Sequence, residues 1–238
     1  MSLLKNIFLR VKNFFFPRLC AICENQLIDA GEIRHGLCEE CGASFETVQG
    51  EKCGLCGRPL VSEREFCLSC RNGAGRSYDR LWVLFPYTGK YRRLLTAYKF
   101  NKNTSLANFL AEKVTQLIDG DPVLREAGIV PVPPRPGKIK ESGWDQVEYL
   151  VRRLEKIDRE KIKVCRCLKR QKSKVQKMLG RTERAENLKG RIQAHGEVPK
   201  TAIVIDDVIT TGSTIEECSR TLKENGAEKV FGLCLFYN

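Results

Sequence analysis

The sequence predicts an α/β protein: a mostly parallel sheet flanked by helices, preceded by a small cysteine-rich module. Three observations predict it. From residue 80 onward, short apolar runs of strand type alternate with segments of helical periodicity, the pattern of crossover units. Before residue 71, eight of the 12 cysteines fall in four C-x-x-C pairs. Between these regions lies "RNGAGRS" (71–77), a linker by composition. A chain of 238 residues with 42% apolar content is enough for one sizeable domain or for a domain plus a small module.

Residues 1–17 open the chain as an amphipathic helix. Leu4, Ile7, Phe8, Val11 and Phe15 recur at helical spacing, and Pro17 closes the run. Lys5, Arg10 and Lys12 interrupt the apolar stretch, and no small-residue cleavage site follows, unlike a signal peptide. The stripe either packs on its own protein or lies on a membrane surface, which would make residues 1–16 a peripheral membrane contact. No stretch reaches the ~18 apolar residues of a spanning helix.

Residues 18–72 carry the pairs Cys20/Cys23, Cys38/Cys41, Cys53/Cys56 and Cys67/Cys70. A C-x-x-C turn aims two sulfurs at one point, and two such turns complete a tetrahedral S₄ shell for zinc. Gly42 and Gly57 follow two of the pairs, as tight knuckle turns favour. Sequential pairing is the simpler arrangement and gives two zinc ribbons in tandem. An interleaved, cross-braced pairing uses the same eight residues. Either way about two structural zinc ions are expected, because an all-cysteine shell leaves no open position. A segment so poor in apolar residues needs the metal to fold. Reduced thiolates point to the cytoplasm. Cys165, Cys167, Cys218 and Cys234 sit in apolar patterns and are expected in the core.

Residues 78–238 form the larger domain. Strands are predicted at 80–87, 128–133, 163–168, 201–207 and 229–236. Helices are predicted at 90–100, 105–118, 144–157 and 213–225, the last stopped by Gly226. In 144–157, Val147, Leu150, Val151 and Leu154 share one face.

The stretch "AIVIDDVITTGSTI" (202–215) carries the chemistry. The buried strand ends on Asp206 and Asp207, at the sheet edge where open α/β sheets bind ligands. Ser213 opens the next helix and fits a capping box with Glu216. The helix start offers backbone N–H groups and a positive dipole end, a cradle for a terminal phosphate. Gly212 lets the backbone approach closely, and Thr210, Thr211, Ser213 and Thr214 add hydroxyls. The carboxylates can accept from vicinal hydroxyls or hold a divalent cation. A phosphate cradle beside a diol acceptor describes a ribose 5-phosphate site.

Positions 202–214 resemble the signature of type I phosphoribosyltransferases. The resemblance implies that fold for the larger domain and binding of phosphoribosyl pyrophosphate (PRPP) with Mg²⁺. It implies that Asp206 and Asp207 contact the ribose hydroxyls, and that Thr210 to Thr214, Gly212 and Ser213 among them, hold the 5-phosphate. The order of cysteine pairs, "YKF", "IVPVPPRP", "GWDQ", "SKVQ", "RAENLKG" and signature is similar to the ComF family of bacterial competence proteins. That likeness covers nearly the whole chain and implies a link to competence machinery and DNA uptake. Where the family usually shows R-G-F-N-Q, this chain has Ser142-Gly143-Trp144-Asp145-Gln146. The change removes an arginine and puts a charge where the family has an amide. In the resembled fold the loop after the first core strand binds pyrophosphate, which makes Arg135 and Lys138 the candidates here.

The formal charge is +12, and it is local. From Lys163 to Arg191 there are 11 Lys/Arg against 2 Glu. Lys169, Arg170, Lys172, Lys174, Gln176 and Arg184 then belong to a lid over the pyrophosphate, to a track for single-stranded DNA, or to a solvated basic face. Two functions follow. One is an enzyme transferring phosphoribose from PRPP to an acceptor the sequence does not identify. The other is a non-catalytic competence factor that binds single-stranded DNA and keeps the PRPP site as a regulatory or vestigial pocket.

Overall fold

The computed structural model describes residues 17–48, 50–57, 59–60, 62, 64–71, 76–157, 161–171 and 190–237. The expected helix at 1–16, and Lys172, Lys174, Gln176 and Arg184, lie outside the described residues.

The larger domain is built on one four-stranded sheet. Its strands are β1 (Arg80–Pro86), β2 (Gly128–Pro131), β5 (Thr201–Ile209) and β6 (Lys229–Tyr237). The spatial order is β1-β6-β5-β2, and every pairing is parallel. Parallel strands need crossovers. These are supplied by α4 (Gly89–Lys99), α5 (Leu106–Gly120), α8 (Gln146–Ile157) and α9 (Ser213–Glu224). Short helices α6 (Pro122–Arg125) and α7 (Lys138–Ser142) flank β2. A separate antiparallel pair, β3 (Leu168–Arg170) with β4 (Ile192–Ala194), lies beside α9.

Side chains alternate across β5, so the sheet has two apolar faces. Ile203 and Ile205 join the core formed with α4, α5 and α8. Ala202 and Val204 join the core formed with α9, Leu168 and Ile192.

Two expectations about the strands change in the structure. The strand expected at 163–168 forms only a bridge from Val164 to Ile129. Ile129 N–H donates to Lys163 O and Cys165 N–H to Ile129 O. The next bond along this edge would need an N–H from residue 131, which is proline, so pairing stops there. The chain then crosses to the other face, where Cys167 and Leu168 are buried. Second, β5 runs two residues past the carboxylates, because Val208 and Ile209 still pair with Phe236 and Tyr237 of β6.

The cysteine module packs onto both faces. Cys20, Leu27, Leu37 and Phe45 belong to the α5–α8 core, with α1 (Ala30–His35) and α2 (Glu39–Ser44) between them. Phe45 stands edge-on to Phe85 and Tyr91. Val48 N–H donates to Leu84 O, at the outer edge of β1. The second half, ending in α3 (Leu68–Arg71), packs Leu55 against the opposite core. Gly57 is required there: its φ is +69°, and a Cβ would lie 2.5 Å from Leu81 O.

Candidate functional site

The eight paired cysteines assemble into two sets in the sequential pairing. Cys20, Cys23, Cys38 and Cys41 form one and Cys53, Cys56, Cys67 and Cys70 the other, with sulfurs within 4.8 Å of one another. The Cys23–Cys38 and Cys56–Cys67 sulfurs stand 3.6 Å apart. A tetrahedral zinc with Zn–S near 2.3 Å spaces its sulfurs about 3.8 Å apart, so both sets fit structural zinc. Among the described residues, Asp206 and Asp207 do not form a comparable group.

The second site lies at the carboxyl edge of β5. Gly212, at φ +77°, is the N-cap of α9, and Ser213 is already helical. The expected capping box is therefore absent. The Glu216 carboxylate instead accepts from the Ser77 N–H at 3.0 Å and the Ser77 hydroxyl at 2.6 Å. Thr210 and Thr211 are exposed, Ser213 and Thr214 half-buried. The Thr211 and Ser213 hydroxyls pair at 3.0 Å. The early N–H groups of α9 point out of the helix, as they must at any helix start.

Asp206 and Asp207 are adjacent in a strand and leave it on opposite faces. Asp207 is buried and saturated. One oxygen accepts from Val208 N–H at 2.9 Å. The other accepts from Lys99 Nζ at 2.6 Å and Gln146 Nε2 at 2.8 Å. Gln146 Oε1 in turn accepts from Lys138 Nζ at 2.6 Å, and the same ammonium pairs with Asp145 at 2.6 Å. Asp145 also takes the Glu148 N–H at 2.9 Å, at the start of α8. The charge at position 145 is thus matched by Lys138.

Asp206 faces the α9 side. Its carboxylate accepts from Asp207 N–H at 2.8 Å. Burial, and then the charge of Asp207, push its carboxyl well above the usual range. Arg170 turns inward from β3 to this face, while Lys169 points to solvent. Burial lowers the Arg170 guanidinium from its ordinary value; Arg191 and Arg135 lower it too, and Cys218 and Asp206 oppose them. Arg135 itself pairs with Glu141 at the surface. Arg170 therefore feels the charges of both Asp206 and Arg135, although sequence reasoning grouped it with the basic segment. Sequence reasoning missed Lys99 and Gln146; the only signal was their place in "YKF" and "GWDQ".

The architecture defines a class: an α/β domain of parallel strands with a double zinc ribbon packed against it. Residues 11–71 match the double zinc ribbon domain. The chain is 29% identical over 203 residues to competence protein ComFC of Streptococcus pneumoniae, covering 82% of this chain and 84% of that one. It is 27% identical to competence protein F of Haemophilus influenzae, covering 91% and 95%. It is 26% identical to DNA utilization protein YhgH of Escherichia coli K12, covering 92% and 96%. These similarities bear out the resemblance to the ComF family. No helix among the described residues is long and apolar enough to cross a membrane.

Proposed function

We propose that this protein binds a phosphoribosyl ligand, PRPP, at the β5–α9 turn and serves DNA uptake; the names of its relatives speak of competence and of DNA utilization. The observation that supports the ligand is the turn itself: a left-handed Gly212 opening a helix, ringed by hydroxyls, six residues after Asp206. A helix start of this kind suits a terminal phosphate. Asp206 would accept from a ribose hydroxyl, and Arg135 and Arg170 would meet the pyrophosphate. Mg²⁺ would arrive on the pyrophosphate and neutralise it. Transfer to an acceptor would then rest on positioning and on stabilising the leaving group's charge.

A second reading, binding without chemistry, is favoured by one observation. Lys138 is held by Asp145 and Gln146, Arg135 by Glu141, and Asp207 by Lys99. Calorimetry with PRPP and Mg²⁺ tests the ligand. Asp206→Ala should weaken binding about ten- to a hundredfold, the loss of one charge-assisted hydrogen bond. No binding to wild type overturns the site. Pyrophosphate release with candidate bases or DNA as acceptor separates the enzyme from the binding protein.

A further inference from the structure

Away from the β5–α9 turn, aromatic and basic side chains follow one another from the end of α4 to α8. The series begins at Lys99, whose ammonium holds Asp207 and lies 5.9 Å from the centre of the Phe100 ring. Phe100 is 65% exposed, an unusual place for a large apolar ring. The loop after it is pinned to the start of α8. Lys102 donates to Ser142 O at 2.8 Å, and Thr104 hydrogen-bonds the Tyr149 hydroxyl. Trp144 stands 5.3 Å from Tyr149 and edge-on to Tyr98 at 5.4 Å. Arg153 lies over the Tyr149 ring at 5.1 Å and donates to its hydroxyl at 2.7 Å. The surface then opens into a cleft of about 550 Å³ lined by Tyr149, Arg152, Arg153, Glu155, Lys156 and Ile162. The nearby carboxylates Glu148 and Glu155 are both held by Arg166. Lys99 is matched by Asp207 and Arg152 by Glu148, so Lys102, Arg153 and Lys156 leave the strip cationic.

We infer that this strip, Phe100–Lys102–Trp144–Tyr149–Arg153–Lys156, is a binding surface for single-stranded DNA. Half-exposed rings interleaved with cations are the elements of a stacking platform: the rings take unpaired bases and the cations follow the backbone. A duplex keeps its base faces covered and would use only the cations. An acidic peptide would use the cations and leave the rings idle. The strip shares no residue with the basic segment around Lys172 and Lys174. It deepens the DNA-uptake part of the proposed function and does not depend on the phosphoribosyl part.

The test uses the full-length, zinc-loaded protein with oligothymidylate. Wild type should bind the single strand more tightly than a duplex of equal length, with quenching of tryptophan fluorescence. Trp144→Phe should abolish the quench and leave the Trp82 emission. Phe100→Ala should weaken binding about tenfold, the loss of one stacked base. Lys102→Ala with Lys156→Ala should flatten the log–log salt slope by about 1.4, two single-strand phosphates. All three side chains are exposed, so zinc content and melting temperature should stay at wild type. PRPP affinity should also stay unchanged, which keeps the two readings apart. Three results would overturn the strip: equal affinity for duplex, competition by polyglutamate as strong as by DNA, or wild-type binding in the strip variants while Lys172→Ala with Lys174→Ala abolishes it. No DNA binding at all would remove the DNA-uptake reading with it.

Discussion

Asp206 and Asp207 are neighbours with opposite circumstances. Asp207 is satisfied by three donors, and Lys99 supplies a countercharge. Asp206 has one backbone donor, and burial and the Asp207 charge hold its carboxyl well above the usual range. The folded state therefore grips this proton more tightly than the unfolded chain does. Its contribution to stability is complete below the ordinary aspartate value of about 3.9 and is lost as pH rises through the raised folded value. Asp206→Asn keeps the shape without the charge. Thermal melts of this variant should lie above wild type at mildly alkaline pH, and the gap should close as pH falls. A gap independent of pH would show that Asp206 is not strained. A carboxylate kept uncomfortable by the fold is what a site awaiting hydroxyl or cationic ligands would show.

Between elements, the Lys99–Asp207 pair joins the end of α4 to β5. Lys99 is 30% exposed and Asp207 only 7%, so the aspartate bears most of the burial. Lys99→Met should cost about 1.5–3 kcal/mol, the range for hydrogen bonds to charged groups. A double-mutant cycle with Asp207→Asn measures the pair; additive effects would deny the coupling. The main helices and the parallel sheet were legible from periodicity, because tertiary packing agrees with the local pattern. The sequential pairing was legible as the simpler arrangement of the knuckles. The partners of Asp207 were not, since Lys99 lies 108 residues upstream of it and Gln146 lies 61 upstream. The early end of the 163–168 strand depended on register: Pro131 matters only because residue 131 falls on a bonding position of that edge. The division of the two carboxylates was available from the alternation of strand side chains. The hydroxyl-rich turn drew attention to its ligand instead.

At the scale of the molecule, the first zinc ribbon is part of the core. Cys20, Leu27, Leu37 and Phe45 are buried with Leu110, Val114 and Leu150 of α5 and α8. Arg93 donates to Ile22 O at 3.1 Å and Asn108 to Arg34 O at 2.7 Å, stitching ribbon to helices. Loss of that zinc should therefore weaken the whole protein. Cys20→Ser should bring zinc content from about two per chain to about one and lower the melting temperature of the entire domain. Metal analysis alongside calorimetry checks both. An unchanged main transition would mean that the ribbon is a passenger.

The position of β6 has a temporal consequence. It occupies the interior of the sheet, between β1 and β5, yet it follows both of them in sequence. Arg80 of β1 finds its partner in Phe231, and no earlier strand can take that place. A chain emerging from the ribosome can close its zinc knuckles early. Its sheet, however, must wait for the final residues of β6. Until then β1 and β5 present unpaired backbone to each other's vacancy and to other nascent chains. Synthesis that stops before β6 thus deletes the keystone of the sheet, and chaperone dependence should peak while β6 is still unmade.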